Sequence, residues 1–151
     1  MKVTLKIATF LVFASASVAF AHSGATGIVK ERMDSMKSIG SSMKTLGGMF
    51  AGKIGFDVKA VKNAAIVIEQ HAAKIPAQFP KGSDHKPTRA LPMVWQSKAE
   101  FDKLALELGI AAKTLGTKAA SAKSVGDIKL ELIAVGSNCK ACHKKFRAPE
   151  K

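Results

Sequence analysis

Three observations predict an all-α fold, an antiparallel up-down bundle of four helices. Apolar residues recur at alternating spacings of three and four along four separate stretches. No stretch of any length shows the period-two alternation of a half-buried strand. Proline punctuates the chain between the periodic stretches, with Pro76, Pro80, Gly82 and Pro87 marking the longest connection.

The first element precedes the bundle. Met1 to Lys6 is a short basic start, Ile7 to Phe20 is an apolar run, and Ala19-Phe20-Ala21 supplies the small-x-small pattern of a signal-peptidase site. The run is about 14 residues, short of the roughly 20 that a permanent membrane-spanning helix needs. The competing reading is a hydrophobic N-terminal helix packed on the domain. Residues 1–21 are therefore expected to be a removed signal peptide, and residues 22–151 a single exported domain without a membrane anchor. The periplasm is the expected compartment.

The four helices follow in order. Val29, Arg32, Met36, Ile39, Met43, Leu46 and Phe50 form the stripe of the first. The second runs from about Phe56 to Ile75, with Val58, Val61, Ala65, Ile68, Ala72 and Ile75 on its seam. Pro92 suits the first turn of the third, which carries Trp95, Phe101, Leu104, Leu108, Ala111 and Leu115. Lys118 to Ser124 is a turn. The fourth helix is periodic through Val125, Ile128, Leu132, Val135, Cys139, Cys142 and Phe146. Neither an internal repeat nor a second domain is visible.

Composition narrows the function. With 47% hydrophobic and 23% charged residues the chain is neither disordered nor a polytopic membrane protein. Its formal net charge is +13, and loss of Lys2 and Lys6 leaves 22 basic against 11 acidic residues, a charge of +11. Such a balance suits an anionic surface or an acidic protein partner. Aromatic residues are 6%, with one Trp and no Tyr, too few stacking platforms for a single-strand binder. Export also argues against nucleic acid.

The two cysteines stand in Cys139-Lys140-Ala141-Cys142-His143. C-x-x-C-H is the attachment signature of c-type haem. Thiols at i and i+3 lie on one helical face and can add to the two vinyl groups of one porphyrin edge. The imidazole that follows is then carried to the iron as proximal ligand. A thioredoxin-like pair would follow a strand at the start of a helix, and a zinc site would need further ligands at matching spacing. Neither context is present. On the first stripe, Arg32 is the single charge, and a buried cation needs a partner. A haem propionate would serve, and the alternative is that Arg32 snorkels to solvent. Met33, Met36 and Met43 cannot be told apart as iron ligands by composition, because Met on a stripe is also ordinary core packing.

Taken together, these residues resemble the class II c-type cytochromes, cytochrome c′ and its low-spin relatives called cytochrome c-556. Lys30-Glu31-Arg32-Met33-Asp34-Ser35-Met36-Lys37 looks like the family's opening helix. Phe79-Pro80-Lys81-Gly82-Ser83-Asp84 and Ala90-Leu91-Pro92-Met93-Val94-Trp95, then Phe101, look like its middle loop and third-helix start. Cys139 to Arg147 looks like its C-terminal haem motif. The resemblance implies one covalent haem c, held by Cys139 and Cys142 with His143 as proximal ligand. It implies a distal residue four after the Arg, here Met36, whose thioether would be a sixth ligand as in the low-spin members. It implies that Arg32 pairs with a propionate, with Thr88, Arg89 and Arg147 as weaker candidates.

Three functions follow as expectations. The first is electron transfer through a His143/Met36-ligated low-spin iron. The second is a five-coordinate, cytochrome c′-type protein binding nitric oxide or carbon monoxide. The third is a peroxidase, for which no distal His/Arg pair is supplied. Lys140, Lys144 and Lys145 are expected to steer an acidic redox partner, and His22, His71 and His85 are expected at the surface. The residues leave a homodimer through the first two helices open. Intact mass of the protein from its native host should correspond to a chain starting at His22, and a mass retaining Met1 to Ala21 would contradict the processing site.

Overall fold

The computed structural model describes residues 24–149. The expected signal peptide and His22 lie outside them. The elements are α1 (Gly27–Phe50), α2 (Val58–Lys74), a 3-10 turn (Pro76–Gln78), α3 (Met93–Gln96), α4 (Lys98–Ala119), a second 3-10 turn (Val125–Ile128) and α5 (Lys129–Phe146). No β-strand occurs among the described residues, where the one β-bridge joins Ala90 to Arg147. The long helices α1, α2, α4 and α5 are the four read from the sequence.

Each helix buries the stripe its spacing dictates, with departures that have physical causes. On α1, Val29, Arg32, Ile39 and Leu46 are buried and Met36 and Met43 half-buried. At the far end Met49 is buried while Phe50 is exposed. Adjacent residues stand about 100° apart on a helix, so burying Met49 turns Phe50 away from the core. The expected third helix is broken at Ser97 (φ −119°, ψ 47°), which divides α3 from α4. The Trp95 indole N–H donates to the Pro80 carbonyl at 2.8 Å, and Lys98 Nζ donates to the Pro76 carbonyl at 3.1 Å. Both bonds tie this corner to the middle loop.

The helix ends are specified locally. Asp57 caps α2 by accepting from the amides of Lys59 (2.8 Å) and Ala60 (3.2 Å). Gly52 (φ +67°) takes the left-handed conformation that ends α1 and sends the chain back. Before α5, Ser124 and Asp127 form a reciprocal capping box around the second 3-10 turn.

The core is aliphatic and continuous across the four long helices. Its largest fully buried side chains include Leu46, Ile68, Leu115, Ile128 and Val135. Full burial of such a side chain contributes about 1.5–3 kcal/mol. Packing is uneven around the bundle. The α2 and α4 helices are pressed together through small residues: a Cβ on Gly116 would stand 3.3 Å from the Ala65 Cβ, and one on Gly109 would stand 3.7 Å from the Ala72 Cβ. These pairings run in opposite directions along the two helices, which makes α2 and α4 antiparallel. By contrast, α1 and α5 meet only sparsely.

The Asp127 carboxylate accepts from the amides of Lys123 and Ser124, both at 2.9 Å, and from the Ser124 hydroxyl at 3.1 Å. These bonds, first those of the two amides, hold its carboxyl below the ordinary carboxylate range. A depressed folded pKa stabilises above the unfolded pKa, and the contribution is lost as pH falls through the folded one. Wild type should therefore exceed Asp127→Ala in chemical-denaturation midpoint at pH 7, with the gap closing below about pH 4. A gap that persists unchanged in acid would show that the carboxylate charge does not drive the cap.

Candidate functional site

The C-terminal half of α5 carries the haem motif. Helical spacing sets Cys139 and Cys142 one turn apart on the inward side, where both are half-buried against the aliphatic core. Both thiols are free. Burial raises the Cys139 pKa, and burial together with its neighbour Cys139 pushes Cys142 up to about 11. Both are thus neutral thiols at pH 7. His143 stands one position further round and reaches the surface. The surrounding protein still desolvates the ring, and Arg147 and Arg89 repel a second positive charge, so its pKa is lowered. A neutral imidazole with an available lone pair is the form a metal ligand requires.

His143 opens into a surface pocket of about 600 Å³ whose lining includes Arg89, Lys140, Lys144 and Arg147. The middle loop closes one side of it. Leu91 N donates to the Phe146 carbonyl at 2.9 Å, Ala148 N donates to the Arg89 carbonyl at 2.8 Å, and Arg89 Nη2 returns to the Ala148 carbonyl at 2.7 Å. Lys145, expected to belong to a steering cluster, instead pairs with Glu100 across α4 and α5 and lies over the Phe146 ring. Lys140 and Lys144 are the members of that cluster that remain exposed beside His143.

At the same end of the bundle, α1 supplies the second group of residues. Arg32 is 3% exposed, so the structure rules out the snorkelling alternative. Its Nη1 donates to the Ser83 hydroxyl at 2.9 Å and more weakly to the Gln78 carbonyl at 3.4 Å. Its Nη2 donates to the Ser83 carbonyl at 2.6 Å and to the Thr88 hydroxyl at 2.7 Å. The guanidinium also lies 4.5 Å from the Phe79 ring centroid. Burial lowers its pKa, and the nearby Asp84 charge opposes that shift. Two residues proposed from sequence, Arg32 and Thr88, are thereby joined directly.

Met36, one turn after Arg32, is half-buried and packs on the core, as does Met43, whereas Met33 is 37% exposed and off the core cluster. Exposure removes Met33 from the three candidates but does not separate the other two. Met36 and the Cys139/Cys142 pair lie on two helices, α1 and α5, that meet only sparsely. The two neutral thiols on one helical face, with a neutral imidazole beside them, fit a doubly tethered iron porphyrin.

Sequence reasoning missed several residues here. Ser83 and Gln78 complete the Arg32 shell, and Gln78 Nε2 donates to Ser35 Oγ at 2.9 Å while its Oε1 is buried without a partner. Neither residue lies on a periodic stripe, and the sole signal for them was the buried charge that required acceptors. His71, expected at the surface, is half-buried with Nδ1 enclosed and unpartnered. His85 is exposed, as expected.

Comparison with known proteins agrees with this arrangement. The family model described as cytochrome c′ matches residues 27–147. Cytochrome c′ of Rhodopseudomonas palustris is 34% identical over 82% of the chain and 83% of its own length. Cytochrome c-556 of Agrobacterium tumefaciens is 34% identical over 80% of the chain and 97% of its own. The solved structure of R. palustris cytochrome c′ superposes with a TM-score of 0.76 at 32% identity, covering 84% of this chain and all of that one. Members of the family carry covalently attached haem c, and the two cysteines here fit its C-x-x-C-H motif. With the match running from the first helix to the last, the chain belongs to the cytochrome c′ family and is a haem c cytochrome.

Proposed function

We propose that this cytochrome is an exported electron carrier in which Cys139 and Cys142 hold the haem, His143 ligates the iron on one side and Met36 on the other. The observation that carries the reading is the placing of Met36, half-buried one turn beyond the anchored Arg32, on a helix that meets the thiol-bearing α5 only sparsely. When bound, haem c supplies a one-electron iron couple. The protein's part is to fix the two axial donors and to exclude water. Thioether sulfur is a soft donor that favours the reduced metal, which suits a carrier cycling between two oxidation states.

Arg32 with Thr88 makes one polar anchor for a propionate, and Arg147 with Arg89 makes a second near His143. Lys140 and Lys144 beside the pocket would orient an acidic redox partner, an effect on association rate that salt weakens. Residues 1–21 would direct the chain to the periplasm. None of the helices among the described residues is long and apolar enough to cross a membrane.

A second reading has its own support. Relatives named cytochrome c′ and cytochrome c-556 match at the same 34% identity, so likeness does not favour one iron coordination over the other. If Met36 only packs, the distal side is open to nitric oxide or carbon monoxide.

Acid-acetone extraction should leave haem on the polypeptide, and extraction of all the haem would disprove thioether attachment. Met36→Leu conserves volume and should cost less than about 1.5 kcal/mol of stability. It should convert a low-spin spectrum to a high-spin one and allow carbon monoxide to bind. Wild-type protein that is already high-spin and binds carbon monoxide readily would overturn the ligand assignment and install the gas-binding reading.

A further inference from the structure

The end of the bundle away from Arg32 and His143 has a different surface chemistry. The last turn of α1, the first turn of α2, the last turn of α4 and the start of α5 meet there, because α2 and α4 run antiparallel. Three large apolar side chains project from it: Phe50 is 46% exposed, Ile54 is 48% and Leu130 is 77%. Gly52, in the left-handed region, turns the chain between the first two. Ile54 lies close over Gly48, where a Cβ would stand 3.2 Å from its Cδ1. Beside it is a groove of about 520 Å³ bordered by Lys44, Gly47, Gly48 and Lys53.

Exposed lysines surround these apolar tips: Lys44, Lys53, Lys59, Lys118, Lys123 and Lys129. Among the described residues none of the six is in a direct ion pair. The acids interspersed with them are Asp57, Asp127 and Glu131. Asp57 and Asp127 are occupied in capping helical turns, and Glu131 is half-buried. Six lysines against three carboxylates make the local field cationic around the apolar groups.

The geometry points to this end as a docking surface for an anionic phospholipid bilayer. Phe50 and Ile54 enter the boundary between headgroups and acyl chains, and the lysines contact lipid phosphates. Apolar tips interspersed with exposed ammonium groups suit a fluid surface, which needs no fixed shape complementarity. A protein partner would call for an apolar centre depleted of charge, whereas Ile54 and Leu130 each directly follow an exposed lysine, Lys53 and Lys129. Docked this way, the molecule holds its haem end toward the aqueous phase.

Sedimentation of the processed holoprotein with vesicles tests this. Vesicles of equal parts phosphatidylglycerol and phosphatidylcholine should bind it, and pure phosphatidylcholine should not. The double variant Phe50→Ser/Ile54→Ser, with haem absorbance and far-ultraviolet dichroism unchanged, should bind about tenfold more weakly or worse. Lys53→Glu/Lys59→Glu should also weaken binding, while Lys81→Glu/Lys86→Glu at the opposite end should leave it in place. Equal binding to both vesicle types would overturn the proposal, as would equal weakening by the two charge-reversal pairs. So would full binding by the Phe50/Ile54 variant alongside loss in Lys53→Glu/Lys59→Glu, which would mark charge adsorption without entry of the apolar tips.

Discussion

A buried guanidinium organises one whole end of this protein. Removing Arg32 from water is costly unless nearly every N–H finds an acceptor. A helix cannot supply those acceptors from its own backbone. They come instead from Gln78, Ser83 and Thr88, between 46 and 56 residues further along the chain. Satisfying one side chain therefore fixes the path of the long connection between α2 and α3. That connection in turn bonds to the end of α5 through Arg89 and Leu91. Three distant parts of the sequence are held together around the haem motif because one positive charge on α1 lies inside.

The covalent and electrostatic requirements of the site divide cleanly between the helices. On α5, thiols and imidazole need only the helical repeat to reach their places, so the motif is nearly self-contained. On α1, the proposed role of Met36 depends on the whole helix being set at the correct rotation, and the Arg32 clasp one turn away fixes that rotation. In the proposed coordination the proximal donors form a contiguous motif, while the distal donor is a single methionine among several.

Much of this was legible in the sequence, and the residues show why. The alternating three-and-four spacing made the four long helices readable, since burying an apolar stripe is the main source of their stability. C-x-x-C-H was readable because its chemistry demands that spacing. The exchange of Phe50 for Met49 was less so, because spacing alone does not fix which of two adjacent apolar residues turns inward at a helix end. The break at Ser97 depends on bonds from Trp95 and Lys98 to a loop that no periodicity describes. Arg32 announced that acceptors were required without saying which. Of the three methionines, exposure separates Met33 alone, and the choice of Met36 over Met43 came from likeness to a family rather than from spacing.

The glycine seam between α2 and α4 has a mechanical consequence. With Gly116 set against the Ala65 Cβ and Gly109 against the Ala72 Cβ, these helices pack at close range along the most extensive helix contact of the bundle. The α1 and α5 helices meet only sparsely and are each fastened to this spine instead, α1 to α2 and α5 to α4. The reach from an α1 side chain to a group carried on α5 is thus set by three helix contacts in series, and a bulkier residue in the seam would alter it from a distance.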